Sequence, residues 1–145
     1  MRKPINEKFV KQAIIKWLFR NKWGQNLEVG ELRDKGVDIR VRHNNYSRYF
    51  LIEVKGEGSA RSNSHKSQNE THFVYGLGQL VTRMQTNKAR YYYGLGLPVA
   101  SARIAVRRLP WPVAKRLLLY VFSVDASGHV TRYSWQDLKK IQDKK

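Results

Sequence analysis

The chain reads as an α/β protein, a mixed β-sheet flanked by helices. Three observations predict this. Apolar residues recur at helical spacing over 6–21 and again over 70–86. Between these stretches, 37–42 and 49–55 alternate as half-buried strands do. Beyond them, strand-like runs at 90–96 and 117–124 are separated by further helical segments. Helices interleaved with strands call for a sheet covered on its faces. A length of 145 residues fits one domain, and an apolar fraction of 41% is enough for one core.

Each element has a local reason. Asn6 is placed to cap the first helix, whose apolar face is Val10, Ala13, Ile14, Trp17 and Leu18. Lys8, Lys11, Lys16 and Arg20 supply its wet side. Glu7 falls in the first turn, where a carboxylate complements the helix dipole. Gly24 ends this helix, and Leu27 to Leu32 begins a first strand. Asp34-Lys35-Gly36 turns into a second strand at 37–42, and a third runs from 49 to 55. Residues 56–69 are rich in Gly, Ser and Asn, carry Arg61, His65 and Lys66, and lack periodicity. They read as a mobile polar loop, either an ordinary surface loop or one that closes over a phosphate backbone.

The helix over 70–86 turns Phe73, Leu77, Leu80, Val81 and Met84 inward. Tyr91, Tyr92 and Tyr93 in the next strand are explained by alternating core and surface positions more cheaply than by base stacking. Ser101 reads as the cap of a short helix through Leu109, and Pro110 to Lys115 starts another. Arg103, Arg107 and Arg108 lie near one side of the 101–109 helix, as phosphate contacts or as a solvated face. The apolar run from Leu117 to Val124 has strand character, Asp125-Ala126-Ser127-Gly128 makes a turn, and His129 to Tyr133 forms a short edge strand. Ser134 caps a final amphipathic helix.

Charge narrows the function classes. Lys and Arg number 28 against 11 acids, a formal charge of +17, and the sequence pI is near 10.4. Such a field attracts polyanions, so nucleic acid is the favoured partner. A membrane surface fits less well, because no helix pairs a wholly basic face with a broad apolar one. The chain has no cysteine, hence no disulfide framework and no thiolate metal site. It has neither a long apolar run nor an apolar leader after Met1-Arg2-Lys3, which makes a cytoplasmic protein the expectation. The histidines, His43, His65, His72 and His129, show no ligand spacing and read as surface or DNA-contacting residues. Gly94-x-Gly96 lacks the third glycine of a dinucleotide fingerprint.

The chemistry concentrates in residues 36–55. Asp38 and Glu53 each interrupt an alternating run, and Lys55 follows Glu53 by two positions. Glu53 and Lys55 therefore share a strand face, with Ile52 and Val54 turned to the other. A hairpin turning near Asn45 and Tyr46 sets Asp38 opposite Glu53. Facing carboxylates repel unless a cation lies between them, and an acid pair with a lysine suits a Mg²⁺ site that cleaves phosphodiesters.

Asp38, Glu53 and Lys55, in the setting Gly-Val-Asp…Ile-Glu-Val-Lys, resemble the core motif of the PD-(D/E)xK nuclease superfamily, the restriction-endonuclease-like fold. The element order α-β-β-β-α-β over about 6–97 is similar too, with 98–145 as an extension. One departure is Gly-Val rather than Pro before Asp38. Family members often carry an acid in the first helix, matched by Glu7, and a Gly-Gln pair after the third strand, matched by Gly78-Gln79. The resemblance implies a Mg²⁺-dependent (or Mn²⁺-dependent) DNA endonuclease of restriction, repair, recombination or mobile-element processing. Asp38, Glu53, the carbonyl of Val54 and Glu7 would hold the metal. Lys55 would activate water or stabilise charge on phosphorus, and Gln79 would position the water. Arg61, His65, Lys66, Arg103 and Arg107 are the candidate DNA contacts. Size and charge are similar to those of archaeal Holliday-junction resolvases, which act as homodimers. The rivals are a catalytically idle nucleic-acid-binding module on the same fold and a basic architectural protein.

Overall fold

The computed structural model describes residues 5–24, 39–57, 65–84 and 90–144. Among them, α1 (Glu7–Arg20) leads into the hairpin β1 (Ile39–Arg42) and β2 (Arg48–Val54). Helix α2 (His65–Thr82) then crosses to β3 (Arg90–Pro98). Helices α3 (Val99–Arg108) and α4 (Trp111–Leu117), the hairpin β4 (Leu119–Val124) and β5 (Val130–Tyr133), and α5 (Trp135–Asp143) complete the order. The strands form one five-stranded sheet in the order β1-β2-β3-β4-β5. The central pairs β2/β3 and β3/β4 are parallel and the outer pairs antiparallel, so the sheet is mixed, as expected of this α/β chain. Among the described residues no helix is long and apolar enough to cross a membrane.

Both faces of the sheet are covered. Phe50, Ile52 and Val54 of β2 pack with Val10, Ile14 and Leu18 of α1 on one side. Leu51, Tyr91, Tyr93 and Leu95 pack with Phe73, Leu80, Ala105 and Leu138 of α2, α3 and α5 on the other. This double cover is why β2 is buried over its last five residues instead of showing one wet face. It also accounts for the tyrosines. Tyr91 and Tyr93 are core residues of the α2 side, and Tyr92 packs against the α1 side.

The hairpin register is Ile39↔Ile52 through Arg42↔Tyr49. These pairs agree with a turn near Asn45 and Tyr46. Asp38, the strand expected over 27–32 and Arg61 lie outside the described residues. Asn6 caps α1 by accepting the Phe9 amide at 2.8 Å. Ser134 and Asp137 close a capping box on α5.

Several boundaries differ from the sequence reading, among them the end of α2 at Thr82 rather than at 86 and of β3 at Pro98 rather than at 96. Helix α2 begins at His65, so 65–69 is helical and not loop. Asn69 explains part of this: its Oδ1 accepts a hydrogen bond from the buried Ser101 hydroxyl at 3.2 Å, a tertiary anchor that outweighs a loop-like composition. The same bond corrects the role of Ser101. Helix α3 starts at Val99, straight after Pro98, so Ser101 sits inside its first turn and caps nothing. Leu118 adopts a left-handed conformation at φ 53° that ends α4, and the strand starts at Leu119 rather than Leu117.

Candidate functional site at the carboxyl end of β2

Parallel strands of an α/β sheet commonly place ligand sites beyond their carboxyl ends. At that end of β2 the chain carries Glu53, Val54, Lys55 and Gly56. Glu53 points to the α2 face with Leu51, as alternation demands, and is only 3% exposed. A carboxylate this buried needs a positive partner. Arg83, just past the end of α2, supplies it, with Nη1 2.6 Å from Glu53 Oε2. Lys55 Nζ lies 3.9 Å from the other oxygen, Oε1. Breaking such a pair costs about 3–5 kcal/mol when both groups are buried. Arg83 is about one-third exposed, so solvent screening brings the cost toward the lower end.

The N-terminus of α1 is fixed beside this strand end. Ile5 accepts the Glu57 amide at 2.7 Å and donates its own amide to Glu57 Oε1 at 2.9 Å. The approach is so close that a Cβ on Gly56 would lie 2.3 Å from the Glu7 nitrogen. This closeness brings Glu7 and Lys55, 48 positions apart in the chain, onto one cleft of about 380 Å³. Gly56, Glu57, Thr71, His72 and Tyr75 complete its lining. A second cleft of about 330 Å³ shares Thr71 and Tyr75 and continues along α2 to Arg108.

Helix α2 presents a row to the strand end. Lys55 Nζ sits over the Tyr75 ring at 5.2 Å, and the Lys55 side chain runs against Gly76. Residues 72, 75, 76, 79 and 83 follow helical spacing along one face. Two buried polar atoms in this row, His72 Nδ1 and Gln79 Oε1, have no hydrogen-bond partner among the described residues. Buried polar atoms are usually bonded, so these two mark where a ligand or water can be received.

The sequence-predicted residues thus divide. Glu53 and Lys55 are together, Glu7 lines the same cleft as Lys55, and Gln79 lies one helical turn before the arginine on Glu53. Gly78 of the Gly-Gln pair is exposed, and a Cβ there would meet nothing within 4 Å, so no close approach requires that glycine. His72 is not a plain surface residue, since it lines the cleft. His43 is structural: its ring packs edge-on against Trp23 and its Nδ1 accepts the Asn45 amide. Its protonation is held below the usual histidine range by burial first and then by Arg48, Lys22 and Arg42. Arg103 and Arg107 are exposed on α3. Arg108 is already paired with Glu70. His65 and Lys66 fall in the first turn of α2, and their side chains lie outside the described residues. Reading the sequence missed Arg83, Tyr75 and Glu57; only the four-residue step from Gln79 to Arg83 hinted at the first.

The donor chemistry suits a hard cation. Glu53 and Glu7 offer carboxylate oxygens, and without cysteine the chain has no thiolate, which favours Mg²⁺ or Mn²⁺ over soft-ligand metals. Among the described residues no three His, Cys, Asp or Glu side chains converge as a ligand set; Asp38 belongs to the set expected from sequence and is not one of them. Comparison with protein-family models, with characterised proteins and with solved structures finds no match to this chain.

Proposed function

We propose that the chain is a metal-dependent DNA endonuclease of the PD-(D/E)xK type, acting in the cytoplasm. One observation carries the reading: a buried carboxylate, Glu53, sits at the carboxyl end of a central strand with a lysine two residues on, beside a cleft that a second acid, Glu7, also lines. A fold gains little from burying an acid at a strand end, whereas phosphodiester hydrolysis needs an anionic cation site next to a lysine. The +17 charge supplies attraction for the phosphate backbone.

Glu53, with Asp38 and the Val54 carbonyl, would hold Mg²⁺, and Glu7 would join directly or through water. Bound there, the metal supplies Lewis acidity and lowers the pKa of a water. The protein's own part is to place groups. Lys55, held over Tyr75, orients the attacking water or stabilises charge on the phosphorus. Gln79 Oε1 receives a hydrogen bond from that water or from a group beside it. A structure-selective nuclease similar to Holliday-junction resolvases, working as a homodimer, is the variant that the strongly basic charge favours.

The Arg83–Glu53 ion pair favours a second reading, a catalytically idle nucleic-acid-binding module, because it neutralises Glu53 without any metal. Incubation with branched, linear and single-stranded DNA in Mg²⁺, Mn²⁺ or EDTA separates the two. The nuclease reading expects cleavage that EDTA abolishes. Binding without cleavage of all three substrates establishes the idle module instead.

A further inference from the structure

Among the described residues two cations face Glu53, and they differ in how firmly they are held. Lys55 is held: its ammonium sits over Tyr75 and its stem runs against Gly76. Arg83 makes the shorter contact, yet its side chain is 32% exposed. It lies one residue beyond the last residue of α2. Turning its guanidinium away from Glu53 therefore does not require α2 to unwind.

We propose that Arg83 is a positioning residue that shares Glu53 with the divalent cation: it neutralises Glu53 in the metal-free chain and turns to a phosphodiester oxygen when Glu53 serves as a metal ligand. This rests on the nuclease reading and deepens it. A carboxylate only 3% exposed must have a positive partner at every stage, so Arg83 stands in when no metal is there. A guanidinium and a divalent cation on one carboxylate repel each other strongly at this depth. Once displaced, the guanidinium finds in a phosphate the anion whose geometry it matches best. Gln79 Oε1, one turn earlier on α2 and unpartnered among the described residues, offers an acceptor along that route. Metal and DNA then bind cooperatively, because each removes a cost the other would meet alone.

The test titrates Mn²⁺ into the full-length chain without DNA and follows free Mn²⁺ by electron paramagnetic resonance. Arg83→Ala and Arg83→Gln are expected to bind Mn²⁺ about tenfold or more tighter than wild type, since the competing charge is gone. Arg83→Lys keeps the charge and stays near the wild-type affinity, and Glu53→Gln loses the site. Where Arg83→Ala does not fold, Arg83→Gln carries the comparison, as it preserves volume and a hydrogen-bond donor. Unchanged or weaker Mn²⁺ affinity in both neutral variants overturns the proposal, as does wild-type affinity in Glu53→Gln. Tighter binding with no cleavage of any DNA would remove the nuclease reading and leave the shared carboxylate standing. Cleavage with unaltered Mn²⁺ affinity would do the reverse.

Discussion

Burial and neighbouring charge act together on the ionisable side chains, and two residues show it from opposite sides. Glu53 is an acid buried against two basic side chains, Arg83 and Lys55. Its place in the hairpin face was legible from the two-residue period, because Leu51 and Glu53 must point the same way. Its partner was not. An ion pair between positions 30 apart leaves no periodic trace in a sequence. His43 is the converse, a base whose pKa is lowered from the usual histidine value, first by burial and then by the surrounding Arg48, Lys22 and Arg42. Between the folded and unfolded values the unfolded chain binds more protons. The His43 contribution is therefore fully present above about 6.5 and is lost as pH falls through the folded value. Urea midpoints from neutral to mildly acidic pH, for wild type and the non-titrating His43→Gln, check this. Wild type should lose stability relative to the variant as the pH drops below the unfolded value; parallel curves would mean that His43 titrates alike in both states.

At the scale of elements, close approach explains more than propensity. Helix α1 lies so near β3 that a Cβ on Gly96 would fall 2.4 Å from Ile14 Cδ1. Gly78 on the outer face of α2 has open space around it. The expected substitutions diverge accordingly. Gly96→Ala should lower stability by about 1–3 kcal/mol through overpacking, and Gly78→Ala should raise it by about 0.5–1 kcal/mol through helix propensity. Denaturant midpoints of the two variants decide the matter, and a destabilising Gly78→Ala would show that the outer face of α2 is covered by something. In sequence the glycines look alike, and Gly78 drew notice through its neighbour Gln79. Only packing shows that a side chain would disturb the surroundings of Gly56, Gly76, Gly94 and Gly96 and not those of Gly78. The start of α2 was hidden for a related reason, since Asn69 becomes helical with its side chain bonded to Ser101, a contact local composition cannot contain.

At the scale of the whole molecule, the α/β class and the order of the described elements were legible, because each rests on apolar periodicity and on caps such as Asn6 and Ser134. The grouping of Glu7 with Lys55 was not, since it depends on how α1 docks against Gly56. The net charge of +17 belongs to this scale as well, and it predicts DNA binding that weakens steeply with salt. Arg103 and Arg107 are four residues apart and exposed on α3. Replacing both with alanine should reduce the slope of log affinity against log salt by about 2, roughly one for each phosphate no longer neutralised, in anisotropy titrations run in EDTA. An unaltered slope would place DNA on another surface. The proposal that the carboxyl end of β2 cuts phosphodiesters is tested most directly by the single-turnover cleavage rate of DNA-saturated Glu53→Gln and Lys55→Ala in Mg²⁺. Both rates are predicted to fall by about a hundredfold or more with DNA affinity in EDTA retained. Cleavage by Glu53→Gln at the wild-type rate would contradict the account, because the bond would then be broken somewhere else.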